Sequence, residues 1–163
     1  MQEMITQTAT TVMNMNMTHY MELLATNQPW NLLIFMAIPV ILAETLTATE
    51  FFVTFRRLYD GPLRQFNKVV GIVLGFYFLG IFLYLITMVV PNIVWRGYSD
   101  ILAVGFYLSG VIFLFGIALL ELGVIAKNAE KEAKMKLHFL LLIGFLVVAH
   151  IAMIFGMLNP SLF

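Results

Sequence analysis

Leu137-His-Phe-Leu-Leu-Leu-Ile-Gly-Phe-Leu-Val-Val-Ala-His-Ile-Ala-Met-Ile-Phe-Gly-Met-Leu158 is apolar at every position except His138 and His150. As a helix rising about 1.5 Å per residue it is roughly 33 Å long, enough to cross a bilayer core of about 30 Å. Three more stretches have the same character, Trp30–Phe55, Phe66–Val90 and Ile101–Ala126. A membrane β-barrel alternates polar and apolar residues in segments of about ten, and these runs are continuously apolar. The fold class is therefore an all-α membrane protein. The links Arg56–Gln65, Pro91–Asp100 and Lys127–Lys136 are short and carry turn formers such as Asp60-Gly61-Pro62 and Arg96-Gly97, so sequential spans are antiparallel neighbours in an up-down four-helix bundle.

Composition agrees. Of the 163 residues 61% are apolar and 11% charged, against about 45–50% and about 25% in an ordinary soluble domain. Nine basic residues balance nine acidic ones, which leaves no basic excess for nucleic acid. The absence of cysteine excludes disulfides, thiolate metal sites, iron–sulfur clusters and covalently attached c-type haem. Nor is there a nucleophile elbow, phosphate loop or zinc-protease helix motif, so hydrolase and transferase chemistry finds no support. The expected organisation is a polar tail over residues 1–29, a transmembrane domain over 30–158 and a short tail over 159–163.

Basic residues near short loops stay on the cytoplasmic side. Arg56, Arg57, Arg64 and Lys68 flank the first link, and Lys127, Lys131, Lys134 and Lys136 flank the third, whereas the second holds only Arg96. Both termini are accordingly expected outside, with Trp30 and Trp95 at the outer headgroup level. Residues 1–29 lack the basic and apolar regions of a cleavable signal peptide. Met17, Tyr20, Met21 and Leu24 recur at helical spacing, suggesting a short amphipathic helix on the outer surface. Asn27, Gln28 and Pro29 then mark a helix start.

Ionisable residues inside a span cost several kcal/mol or more, so each is a functional-site hypothesis by default. Glu44 and Glu50 lie in the first span, Glu121 in the third, and His138 and His150 in the fourth. Counted from the cytoplasmic basic residues, Glu50 and Glu121 are roughly 9 Å deep and His138 roughly 6 Å, a shared inner layer. Glu44 at roughly 18 Å and His150 at roughly 24 Å form a second candidate pair. The inner layer has two readings: a lock, in which the acids pair with Arg56, Lys127 or His138, or a site that carries protons or binds a cation such as iron. Pro39 removes the hydrogen bond to the Phe35 carbonyl and predicts a bend, with the freed carbonyl near Glu44 as a further proton or ion station. Thr45, Thr47 and Thr49 make this span the most polar, and its polar face is expected to look into protein. Gly71-x-x-x-Gly75 predicts a close helix approach.

Methionine is the other anomaly, with 11 residues. Met13-x-Met15-x-Met17 before His19 and Met21 resembles outward-facing copper-handling motifs; closely spaced start codons are the plainer explanation. His150, Met153 and Met157 share one helical face, a candidate copper site in which Met153-x-x-x-Met157 resembles the methionine pair of eukaryotic high-affinity copper transporters; methionine on a helical stripe is more often simply core. His138 and His150 raise haem b, but twelve residues turn a helix through a net of about 120°, so bis-histidine ligation would need a second copy, whereas His150 with a methionine could ligate within one chain.

The stretch Met17-Thr-His-Tyr-Met-Glu-Leu-Leu-Ala-Thr-Asn-Gln-Pro-Trp-Asn-Leu, the segment Ala37-Ile-Pro-Val-Ile-Leu-Ala-Glu-Thr and the ending Ala149-His-Ile-Ala-Met-Ile-Phe-Gly-Met-Leu resemble a family of small bacterial inner-membrane proteins of unknown function, some labelled permeases. The likeness runs from about Met15 onward and implies a bacterial inner membrane, with no site residues carried over. Together these readings favour permease-like transport or coupling of protons or a metal cation, as a homo-oligomer or with other membrane subunits. A haem- or metal-holding redox subunit linked to quinone and a purely structural subunit are the alternatives.

Overall fold

The computed structural model describes residues 18–58 and 60–159, all helices and connections with no strand among them. A short helix α1 (His19–Ala25) precedes four long apolar ones, α2 (Trp30–Phe55), α3 (Pro62–Asn92), α4 (Tyr98–Glu121) and α5 (Lys131–Met157), each long and apolar enough to cross a membrane. They pack in sequence as an up-down bundle that closes where α5 returns to α2.

The ends of these helices follow local chemistry. Gly61-Pro62 opens α3 with proline in its first turn, where the missing N–H is no loss. Gly123, at φ 76°, ends α4: the Val124 N–H bonds the Leu119 carbonyl at 2.9 Å and the Gly123 N–H that of Leu120 at 3.1 Å, a left-handed cap that glycine adopts without strain. The helix thus stops at Glu121, five residues short of the Ala126 that hydropathy alone suggests. At its start α5 runs further than expected, from Lys131, because its charged first turns continue the helix beyond the apolar stretch.

Pro39 does not act alone. A π-helical turn over Leu33–Ala37 precedes it, and a matching one over Leu85–Val89 precedes Pro91; such insertions are among the standard causes of helix bends. The Phe35 carbonyl, deprived of its Pro39 partner, accepts the Tyr107 hydroxyl at 2.8 Å, and the Ile34 carbonyl accepts Tyr77 at 3.0 Å. The expected proton station at Phe35 is therefore occupied by a tyrosine from α4.

The core runs through Ala43, Leu46, Val70, Leu74, Phe78, Leu114, Ile117, Leu142 and Phe145. At Gly75 α3 lies close against the backbone of α4. A β-carbon there would lie 2.5 Å from the Leu114 carbonyl oxygen and 2.6 Å from Ala118 Cβ, so only glycine permits the crossing. Gly71, one turn earlier, lets Ile117 and Leu46 close over the same seam.

Gly75→Ala is expected to cost about 1–3 kcal/mol by forcing the two helices apart. Gly80→Ala, whose added carbon would meet nothing within 4 Å, is expected to be neutral or slightly stabilising through helix propensity. Thermal unfolding of both variants in detergent separates these outcomes.

Candidate functional site

Each long helix contributes to one polar layer near the end of the bundle that carries most of the basic residues. From α2 come Thr49, Glu50 and Thr54; from α3, Arg64 and Asn67; from α4, Glu121; from α5, His138. Glu50, Asn67 and His138 have no solvent exposure, and Glu121 is nearly as enclosed. Three of these residues, Glu50, Glu121 and His138, form the inner layer that helical depth predicts.

The Glu121 carboxylate is the hub. Its Oε1 accepts Arg64 Nη2 at 2.6 Å and lies 2.7 Å from His138 Nδ1. An oxygen of an ionised carboxylate only accepts, which fixes the hydrogen of His138 on Nδ1. Arg64 is oriented from its other side by Asn67, whose Oδ1 accepts Nη1 at 2.9 Å. The Asn67 amide then donates to Thr49 Oγ1 at 3.0 Å and to the Leu46 carbonyl at 3.3 Å, tying α3 to α2.

Glu50 completes the layer without being consumed by it. Its Oε2 lies 3.9 Å from His138 Nδ1, beyond hydrogen-bond reach, and its Oε1 accepts the Thr54 hydroxyl at 3.3 Å. Glu50 Oε2 and His138 Nε2 are buried and have no hydrogen-bond partner among the described residues. Such atoms are costly in an apolar interior, and they mark a place where a proton can be held. Arg64 and Glu121 cancel in charge. Glu50 and His138 can then be neutral acid and neutral base or carboxylate and imidazolium, with the same net charge either way.

The other candidates lie elsewhere. Glu44 is exposed on the outer face of α2 and makes no hydrogen bond or ion pair among the described residues. His150 is exposed on α5, with Nδ1 2.6 Å from its own Leu146 carbonyl. One chain therefore does not join Glu44 to His150. Met153 and Met157 are exposed beside His150. His138 faces into the bundle and His150 faces out, so a single chain does not aim two imidazoles at a common haem. Nor do the threonines compel an inward face: Thr45, Thr47 and Thr49 return their hydroxyls to the carbonyls of Ile41, Ala43 and Thr45 at 2.7–2.8 Å. Among the described residues no group of three or more His, Asp or Glu is arranged to hold a metal ion. Met13, Met15 and Met17 lie outside the described residues.

Arg64 and Asn67 escape a reading of apolar runs because Arg64 sits in what looks like a link. Their three-residue spacing on one helical face is the signal that could have found them. A second polar cluster, at the opposite end, gives less warning. Asp100, fully buried, lies in the first turn of α4 and accepts the His19 amide at 2.9 Å; the positive end of the α4 dipole favours its charge. Thr18 donates to the Gly156 carbonyl at 2.5 Å, and Arg96 pairs with Glu22. Tyr20 packs against Gly156 and Tyr107, and burial pushes its phenol up to about 12. Thus α1 docks against α4 and α5 at this end of the bundle.

Arg64→Leu is expected to destabilise the protein by about 3–5 kcal/mol, since it strands the Glu121 carboxylate. The double variant Arg64→Leu/Glu121→Leu is expected to recover most of that loss, because a well-packed apolar pair replaces a buried ionic one at little net cost. Melting of the two variants in one detergent measures the coupling.

No curated protein and no solved structure matches the chain. Residues 15–163 match DUF6803, a family of unknown function, over the same extent as the likeness seen in the sequence. On that match the chain belongs to DUF6803.

Proposed function

We propose that this multi-pass protein moves or couples protons across a membrane, with Glu50 and His138 carrying the proton and Arg64 and Glu121 as the fixed charges that position them. The observation behind this reading is the pair of buried atoms, Glu50 Oε2 and His138 Nε2, left without hydrogen-bond partners beside a compensated ion pair. A proton suits that space better than a metal ion, because a guanidinium and an imidazole already engage Glu121. Arg64 retains some exposure at the basic end, which gives a polar route to the site from that side. Toward the other end Leu46, Leu74, Ile117 and Leu142 close the bundle without exposure or nearly so. Passage beyond them requires helix movement, the behaviour of a coupling device rather than an open pore.

Eight of the nine basic residues border the first and third links, and we orient that end toward the cytoplasm, with Thr18 and Asn159 outside. A bacterial inner membrane fits this arrangement. A reporter inserted near Asp60 is expected to be cytoplasmic and one after Asn159 external; the reverse result overturns the orientation.

In proteoliposomes, Glu50→Gln and His138→Gln are expected to lower proton flux by about a hundredfold, the lower end of what a positioned proton carrier contributes, while melting stays within a few degrees of the parent. Stable variants with unchanged flux would refute the proposal. Strongly destabilised variants would return the layer to the role of a bundle lock.

A further inference from the structure

Glu44 and His150 raise a different question, independent of the proton reading. The core-facing positions of α2 are Pro39, Ala43, Leu46, Glu50 and Val53. Glu44 lies on the opposite side, in an exposed stripe with Ile41, Ala48, Phe51 and Phe55. That stripe repeats at intervals of three and four residues, the spacing of a seam that receives another helix. A carboxyl group facing lipid at such depth costs several kcal/mol, and ionisable residues in spans almost always face protein or a water-filled cavity.

Both helices that carry these groups are under-packed. The apolar windows of α2 and α5 are each 22% buried, against 39% for α3 and 33% for α4. Because α2 and α5 adjoin through Glu50 and His138, they present neighbouring outward faces, one with an acid and the other with a base. A two-fold interface is self-complementary, and an acid and a base on neighbouring helices of one chain let each group meet its complement on the other copy.

The depths are compatible. Glu50 and His138 share a level, so Glu44 stands roughly 9 Å and His150 roughly 18 Å further from the basic end. Side chains lean toward the N-terminus of their own helix. As α2 and α5 run in opposite directions, Glu44 leans away from the basic end and His150 toward it, which shortens the offset. His150 Nδ1–H is engaged by the Leu146 carbonyl, leaving Nε2 for an incoming partner. We propose that the α2/α5 face is the contact surface for a second copy of this chain, with Glu44 of each protomer bonded to His150 Nε2 of the other. One hydrogen lies between them, whether the pair is carboxylic acid with imidazole or carboxylate with imidazolium.

The chain has no cysteine, so single cysteines report contacts without background. Ile41 and Val147, 62% and 53% exposed, each lie nine residues beyond the shared level, at equal depth. Two differently tagged chains, Ile41→Cys and Val147→Cys, co-expressed and treated in native membranes with a short thiol cross-linker, are expected to give a mixed dimer carrying both tags. Val73→Cys, 49% exposed on α3, serves as the control face. Adding Glu44→Leu or His150→Leu is expected to reduce the cross-linked fraction about fivefold, the scale of an interhelical hydrogen bond in a membrane. No cross-link above the Val73→Cys level would overturn the proposal. So would a cross-link only to a different protein, or a mixed dimer indifferent to both leucine substitutions.

Discussion

A carboxylate in an apolar helix must be compensated, and the way Glu121 is compensated organises the bundle. Arg64 reaches it from the first turns of α3, and His138 reaches it from α5. Asn67 then holds Arg64 in place and uses its remaining donors to bind α2. One charge thus sets the register of three neighbours at a single level. Apolar packing could bring the same helices together, but it would tolerate sliding. Buried polar contacts with fixed partners do not.

A second constraint acts on the backbone. Proline and π-helical turns free carbonyls that water cannot satisfy inside a membrane. In this chain tyrosines answer that demand, Tyr107 and Tyr77 donating to consecutive carbonyls of α2 from α4 and α3. Tyr107 also packs against Phe78 and Tyr20, so the π-helical turn of α2, the core and the docked α1 share one side chain. The irregular part of α2 is therefore fastened rather than loose, at the α1 end of the helix and away from the layer of Glu50 and His138.

Much of this was readable in the residues. Continuous apolarity located all four spans, and the first, Trp30–Phe55, coincides with the helix. The errors fell where hydropathy and hydrogen bonding part company: Gly123 stops α4 before its apolar stretch is exhausted, and the lysines after Glu130 continue α5 outside it. Depth counting placed Glu50, Glu121 and His138 in one layer because rise per residue is nearly constant. It could not tell that Glu44 points outward, since height along a helix carries no information about direction around it. Threonines that bond to their own helix made the α2 polar face look more demanding than it is. Asp100 was hidden for another reason: its partner is a backbone amide some eighty residues earlier, a contact with no side-chain signature.

The hydroxyl of Thr18 rests on the carbonyl of Gly156 across a separation of 138 residues. A chain made from its N-terminus exposes the first of these groups long before the second is synthesised. During that interval α1 has its Asp100 partner only once α4 has formed, and the seat of its Tyr20 against Gly156 only once α5 is in place. The order of synthesis thus puts the Thr18–Gly156 contact among the last that can form. A product that ends before α5 keeps the Asp100 contact of α1 within reach but lacks the Gly156 side of its seat. Completion of the bundle is in this sense recorded at the very segment that enters it first, a built-in mark by which a finished molecule differs from a partial one.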